Sequence, residues 1–262
     1  MTGRQEPRGV DLASGAHIQY LDIGNGAPVV FFHGAGGVFR NAAFMPALGQ
    51  RYRVLAPSRP GYDGSTGASA SPRDDAVIMA EFIRQTVAAP VHLIAESAGG
   101  AAGCWFALLE PSRLESLVLV APSAFAGSSH APPPASPEAM ELRLFGPKPA
   151  WSEPPTDADR AARQRNASAN AARLRSPDRN ADLLERLGEI SVPTLVLSGT
   201  ADEVVPPESG QLFLQRIPNS YRILIYGAAH SLPVSACRQF VELVTDFIER
   251  GDRFVVAETT HA

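Results

Sequence analysis

Ala95-Glu96-Ser97-Ala98-Gly99 follows directly on the apolar run Val91 to Ala95 and leads into the small, apolar stretch Ala98 to Leu109. The run reads as a buried strand and the stretch as a helix, so Ser97 falls on a tight strand-to-helix turn. Such a turn forces its serine into a strained backbone conformation, which only small neighbours two residues to either side permit. Ala95 and Gly99 are those neighbours. A serine helix N-cap is the plain alternative, and the rest of the chain decides between the two.

Outward from this turn, short β-branched or aliphatic runs alternate with helical patterns. Strands are expected at His17 to Ile23, Val29 to Phe32, Tyr52 to Ala56, Val91 to Ala95, Leu114 to Val120, Thr194 to Ser198 and Tyr221 to Ile225. Helices are expected at Asp74 to Val87, with Val77, Ala80, Glu81 and Arg84 at helical spacing, at Ala98 to Leu109, and at Ser235 to Arg250, where Phe240, Val241, Val244, Phe247 and Ile248 recur. That alternation predicts an α/β fold: a mostly parallel central sheet flanked by helices. From Ser123 to Pro155 the pattern breaks into a Pro-, Ser- and Ala-rich segment with Pro132-Pro133-Pro134, and no strand returns until Thr194. The stretch 123–189 is therefore read as an inserted cap: a Pro-rich arm, a helix near Thr156 to Arg173 and a shorter one near Asp178 to Gly188. Residues 1–122 and 190–262 form the core. A disordered linker between two domains is the competing view, but the part after Thr194 holds two strands only and is too small to bury its own core.

Composition narrows the field. A chain of 262 residues can bury about 70–75% of its extended surface, and 45% hydrophobic with 19% charged residues is a globular balance. The net charge of −4 argues against nucleic acid as a partner. Cys104 and Cys237 make neither a disulfide framework nor a zinc spacing. The polar start, Met1 to Asp11, shows no apolar leader pattern, and no run is long enough to span a bilayer, so no membrane contact and a reducing, cytoplasmic location are expected.

Three further features bear on Ser97. His33-Gly34-Ala35-Gly36-Gly37 follows the strand Val29 to Phe32; the spacing is not that of a dinucleotide loop. Its glycines let backbone N–H groups approach a substrate carbonyl, so Ala35 and Ala98 are the candidate oxyanion donors, with His33 holding the turn. Gly199-Thr200-Ala201-Asp202 ends the strand Thr194 to Ser198 and offers Asp202 at the carboxyl edge of the sheet, with Glu203 as rival and a plain turn aspartate as the simpler account. Gly227-Ala228-Ala229-His230 ends the last strand. A histidine there can reach both a serine and an aspartate, and Ser, Asp, His is a known chain order for a nucleophile triad. His17 and His92 lie on strands, His130 in the arm and His261 in the tail, so they fit less well.

These residues together resemble the α/β-hydrolase superfamily over about Val10 to Arg250. Arg59-Pro60-Gly61-Tyr62-Asp63-Gly64-Ser65 adds to the likeness, since small-cap members often carry an Arg-Pro-Gly-Tyr-Gly turn there. Two departures stand out: Ala95 replaces the first glycine of G-x-S-x-G, and Ala229 replaces the glycine that often precedes the histidine. The resemblance implies a serine esterase acting on a small molecule through Ser97, His230 and Asp202, with no metal or organic cofactor. Serine rather than aspartate as nucleophile argues against the epoxide-hydrolase and dehalogenase branches. Carbon–carbon bond cleavage, lactone opening or cofactor-free perhydrolysis on the same triad, and a slowly turning ligand-binding scaffold, are the other readings. A homo-oligomer is compatible with the sequence. Arg160, Arg163, Arg165, Arg173 and Arg175 would spread around a helix at about 100° per residue. At most two of them should face the cleft, which favours an uncharged ester of small to medium size.

Overall fold

The computed structural model describes residues 6–125, 134–173 and 180–254. His130, Pro132, Pro133, Arg175, Asp178 and His261 lie outside these ranges, as does the side chain of Arg173. Among the described residues the strands are β1 (Arg8–Asp11), β2 (His17–Ile23), β3 (Pro28–Phe32), β4 (Arg53–Pro57), β5 (Val91–Glu96), β6 (Leu114–Val120), β7 (Thr194–Gly199) and β8 (Ser220–Ile225). They form one sheet in the order β1-β2-β4-β3-β5-β6-β7-β8. From β4 onward across the sheet every pairing is parallel, while β1 and β2 are antiparallel additions at one edge. Parallel order puts the carboxyl ends of β3, β5, β7 and β8 on the same edge, where loops from distant parts of the sequence meet.

The helices are α1 (Phe44–Leu48), α2 (Pro72–Thr86), α3 (Gly99–Leu109), α4 (Pro137–Phe145), α5 (Asp157–Arg173), α6 (Ala181–Arg186), α7 (Gly210–Arg216), α8 (Leu232–Ser235) and α9 (Cys237–Arg250). Because strand side chains alternate between faces, β3 sends Val30 and Phe32 into the core layer shared with α2 and α3, and Val29 and Phe31 into the opposite layer with α1 and α9. In α9, Phe240, Val244 and Phe247 are buried at helical spacing. Helix α2 starts where Ser71 accepts a hydrogen bond from the Asp74 amide at 3.1 Å, with Pro72 in its first turn and Asp74 and Asp75 complementing the dipole.

Three sequence expectations need correction. Strand β1 lies in the polar start, where no strand is expected from the sequence, because four residues at a sheet edge carry almost no hydrophobic signature. Helix α4 lies inside the segment read as a Pro-rich arm. Ser136 caps it by accepting from the Ala139 amide at 3.2 Å, Pro137 occupies the first turn where its missing N–H is harmless, and Gly146 ends it at φ 70°. In α2 the helix is where periodicity placed it, but Val77 is 52% exposed; the buried side runs through Ala76, Met79, Ala80 and Ile83.

Candidate active site

Ser97 stands between β5 and α3 with φ 49°, a left-handed conformation that a non-glycine residue adopts only under constraint. The constraint is close packing. A Cβ on Gly99 would come 2.6 Å from the carbonyl oxygens of Phe32 and His33, and a Cβ on Gly103 would come 2.5 Å from the Ala95 side chain. Glycine at 103 thus makes the room that Ala95 occupies in place of the more usual glycine.

Two other loops meet Ser97. His230, five residues beyond β8, has Nε2 2.9 Å from Ser97 Oγ and Nδ1 2.8 Å from Asp202 Oδ2. Asp202 is fixed in turn: its Oδ1 accepts from the Val204 and Val205 amides at 2.8 and 2.9 Å. All three residues are buried, Ser97 being 9% exposed. The rival Glu203 points away and pairs with Arg143 Nε at 3.0 Å. The histidine loop is braced by the end of α4, since the His230 and Ser231 amides donate to the Arg143 and Leu144 carbonyls at 3.4 and 2.7 Å. His17 pairs with Asp11, and His92 with Ser116, away from this group. Cys104 is a poor competing nucleophile, for burial pushes its thiol up to about 12.

The turn after β3 lies against the serine. A Cβ on Gly34 would sit 3.1 Å from Ser97 Cβ and 3.7 Å from its Oγ. The turn that carries Ala35 therefore abuts Ser97, and Ala98 is the N-cap of α3, where helix N–H groups have no partner in the preceding turn. His33 is fully buried; its Nε2 accepts the Arg59 amide at 2.8 Å, so Nδ1–H is free to donate to the Gly34 carbonyl at 2.7 Å. Arg59 reaches the same carbonyl at 3.4 Å and pairs with Asp75 at 2.7 Å, both charges being 2% exposed. The Arg59-Pro60-Gly61 segment is thus a brace for the 33–37 turn. Asp63 stands where the related motif has glycine, at φ 50°, a conformation aspartate tolerates better than most residues. Its carboxylate accepts from Ser58 Oγ at 2.7 Å and from Asn166 Nδ2 at 3.0 Å.

Sequence reading missed Asn166 and Asn170. From α5, Asn166 donates also to the Gly36 carbonyl at 3.2 Å and Asn170 accepts from Tyr62 Oη at 2.8 Å. The signal was present, two asparagines four apart on one helix face. Of the arginines singled out in the sequence, Arg160 and Arg165 are exposed and Arg163 is turned inward. The Arg163 guanidinium lies 5.7 Å from the rings of both Phe145 and Trp151 and 3.2 Å from Glu141. Burial lowers its pKa, which Glu141 partly counters. A cavity of about 350 Å³ opens beside it, lined by Gly36, Phe39, Asp63, Ala162 and Arg163 among others.

The sequence profile of the Alpha/beta hydrolase family matches residues 29–243, and the chain belongs to that family. It is 27% identical over 250 residues to a pimeloyl-[acyl-carrier protein] methyl ester esterase of Aeromonas hydrophila, covering 86% of this chain and 97% of the relative. It is 29% identical over 262 residues to a 2-hydroxy-6-oxononadienedioate/2-hydroxy-6-oxononatrienedioate hydrolase of Cupriavidus pinatubonensis, covering 87% and 89%. The fold is that of the enol-lactonase from Burkholderia xenovorans, with a TM-score of 0.74, 20% identity and coverage of 92% of this chain and 100% of that one. Among the described residues no helix is long and apolar enough to cross a membrane.

Proposed function

We propose that this chain is a serine hydrolase that cleaves a small to medium, uncharged carboxylic ester through an acyl-enzyme. The observation that supports it most is the unbroken relay from Asp202 through His230 to the strained Ser97. Ser97 Oγ attacks the ester carbonyl while His230 Nε2 takes its proton; the same proton passes to the leaving alcohol as the C–O bond breaks. Water, deprotonated by His230, then attacks the acyl-enzyme and releases the acid. The Ala35 and Ala98 amides receive the oxyanion, each worth about 3 kcal/mol of barrier by analogy with measured donors. Residues 123–189 act as a cap over a core of 1–122 and 190–262.

Mixing the protein with a p-nitrophenyl ester should release a burst of p-nitrophenol equal to the Ser97 concentration, and a fluorophosphonate should add one label, located on Ser97. A slow linear release with no adduct would instead mark a ligand-binding scaffold.

Because the imidazole must be neutral to accept the serine proton, kcat/KM should rise with pH and then level off. A rate that falls steadily as the pH rises through neutrality would contradict this base.

The dienedioate hydrolase relative suggests a second reading, in which a carbon–carbon bond of a carboxylated substrate is cleaved on the same triad. Such a substrate needs an available cation. Arg163 is half-buried and pairs with Glu141, which it shares with Arg160, while Arg40 and the exposed Arg165 line the same cavity. Arg163→Ala should therefore leave KM for a neutral ester within about threefold, as expected when no charged contact to the substrate is removed. A tenfold rise confined to a carboxylated substrate would favour the second reading.

A further inference from the structure

The residue beside the nucleophile is a glutamate, 2% exposed, on the same strand end as Ser97. Its Oε1 accepts a hydrogen bond from Ser231 Oγ at 2.6 Å, and Ser231 follows His230 in sequence. The Gly34 amide also favours its carboxylate. One buried carboxyl group thus ties the strand end that carries the nucleophile to the loop after β8 that carries the base. Its second oxygen, Oε2, is buried and has no hydrogen-bond partner among the described residues. An incompletely satisfied buried carboxyl group is a poor structural choice, for an amide or an apolar side chain would serve a packing role without the desolvation penalty.

Resting on the serine-hydrolase reading, we propose that Glu96 is a positioning residue that fixes the His230 loop against the Ser97 turn and, as a carboxylate, supplies a second negative charge that stabilises the His230 imidazolium during acyl transfer. The groups facing it are Ser231 and His230 from the loop after β8, Asp202 from the loop after β7 and the Gly34 amide from the loop after β3. Burial raises its pKa most; the Ser231 hydrogen bond, His230 and Gly34 pull it back, and Asp202 pushes it up again. Glu96 therefore gains its proton at a higher pH than an exposed glutamate, closer to the range in which histidine titrates.

The test is the pH dependence of kcat/KM for a p-nitrophenyl ester in wild type, Glu96→Gln and Ser231→Ala. Glutamine keeps the shape and removes the charge. Without that charge an imidazolium is less stable, so the acid limb should move to lower pH by about one pH unit, and the plateau should fall about tenfold. Alanine at 231 removes the donor but leaves the carboxyl group, which then ionises at higher pH, so this acid limb should move upward. A purely structural role lowers the rate in both variants without moving either limb in opposite directions; that result, or a Glu96→Gln profile superposed on wild type, overturns the proposal. If Glu96→Gln does not fold, the direction of the Ser231→Ala shift decides alone. A wild-type protein with no Ser97-dependent turnover removes the hydrolase reading and this inference together, whereas normal wild-type turnover with unshifted variants removes this inference only.

Discussion

Ser97→Ala is expected to lower kcat toward an ester by about 10⁴–10⁶-fold, to abolish the p-nitrophenol burst and to prevent fluorophosphonate labelling. The protein should remain folded. Alanine keeps the strained φ of 49° and the small volume of the turn, and what is lost is one hydrogen bond to His230 Nε2, worth about 1 kcal/mol net. Equal kcat values for the two proteins, with Tm values within a few degrees, would show that the nucleophile is another group. Residual turnover at the lower bound would be consistent with an oxyanion site that still polarises the carbonyl for attack by water.

Asp202→Asn should keep the fold and cut kcat by up to about 10⁴-fold. The geometry gives the reason. The Val204 and Val205 amides both donate to one side-chain oxygen of Asp202. An asparagine would turn its carbonyl oxygen toward them and its NH₂ toward His230 Nδ1. That nitrogen would then have to accept, which places the imidazole proton on Nε2, the atom that must be bare to take a proton from Ser97. Glu203→Gln supplies the contrast: its carboxylate is paired with Arg143 on α4, so turnover should stay within about threefold. A dead Glu203→Gln beside a normal Asp202→Asn would reverse the two assignments.

Much of the frame was readable because buried parallel strands announce themselves. Strand β6 begins and ends where its pattern placed it, the alternating β2 does so too at the antiparallel edge, and the α9 stripe of Phe240, Val244 and Phe247 is plain in the sequence. Ser97, Asp202 and His230 were legible for a related reason: each lies just past such a strand, and turns at strand ends carry small residues, Gly99, Gly199 and Gly227, that mark them. What escaped was structure with weak hydrophobic contrast. The edge strand β1 buries little, and α4 is hidden among prolines whose positions, Pro137 in the first turn and Pro147 beyond the end, punctuate a helix as much as they forbid one.

Sequence by itself determined the strands β2 to β8, the main helices α2, α3, α5 and α9, and the placing of a serine, a carboxylate and a histidine on three strand-end loops, since these depend on local periodicity and turn chemistry. The family resemblance points to Asp202, but only the tertiary structure shows why that acid and not Glu203 faces the histidine. Asp202 and Glu203 are neighbours in the chain, and only the amides of Val204 and Val205 on one side and Arg143 of α4 on the other separate their roles. The tertiary structure also decided that Glu96 and Ser231, 135 residues apart, share a hydrogen bond beneath the site. Such contacts arise between elements distant in sequence, where neither residue alters the local pattern, so no spacing rule can reveal them.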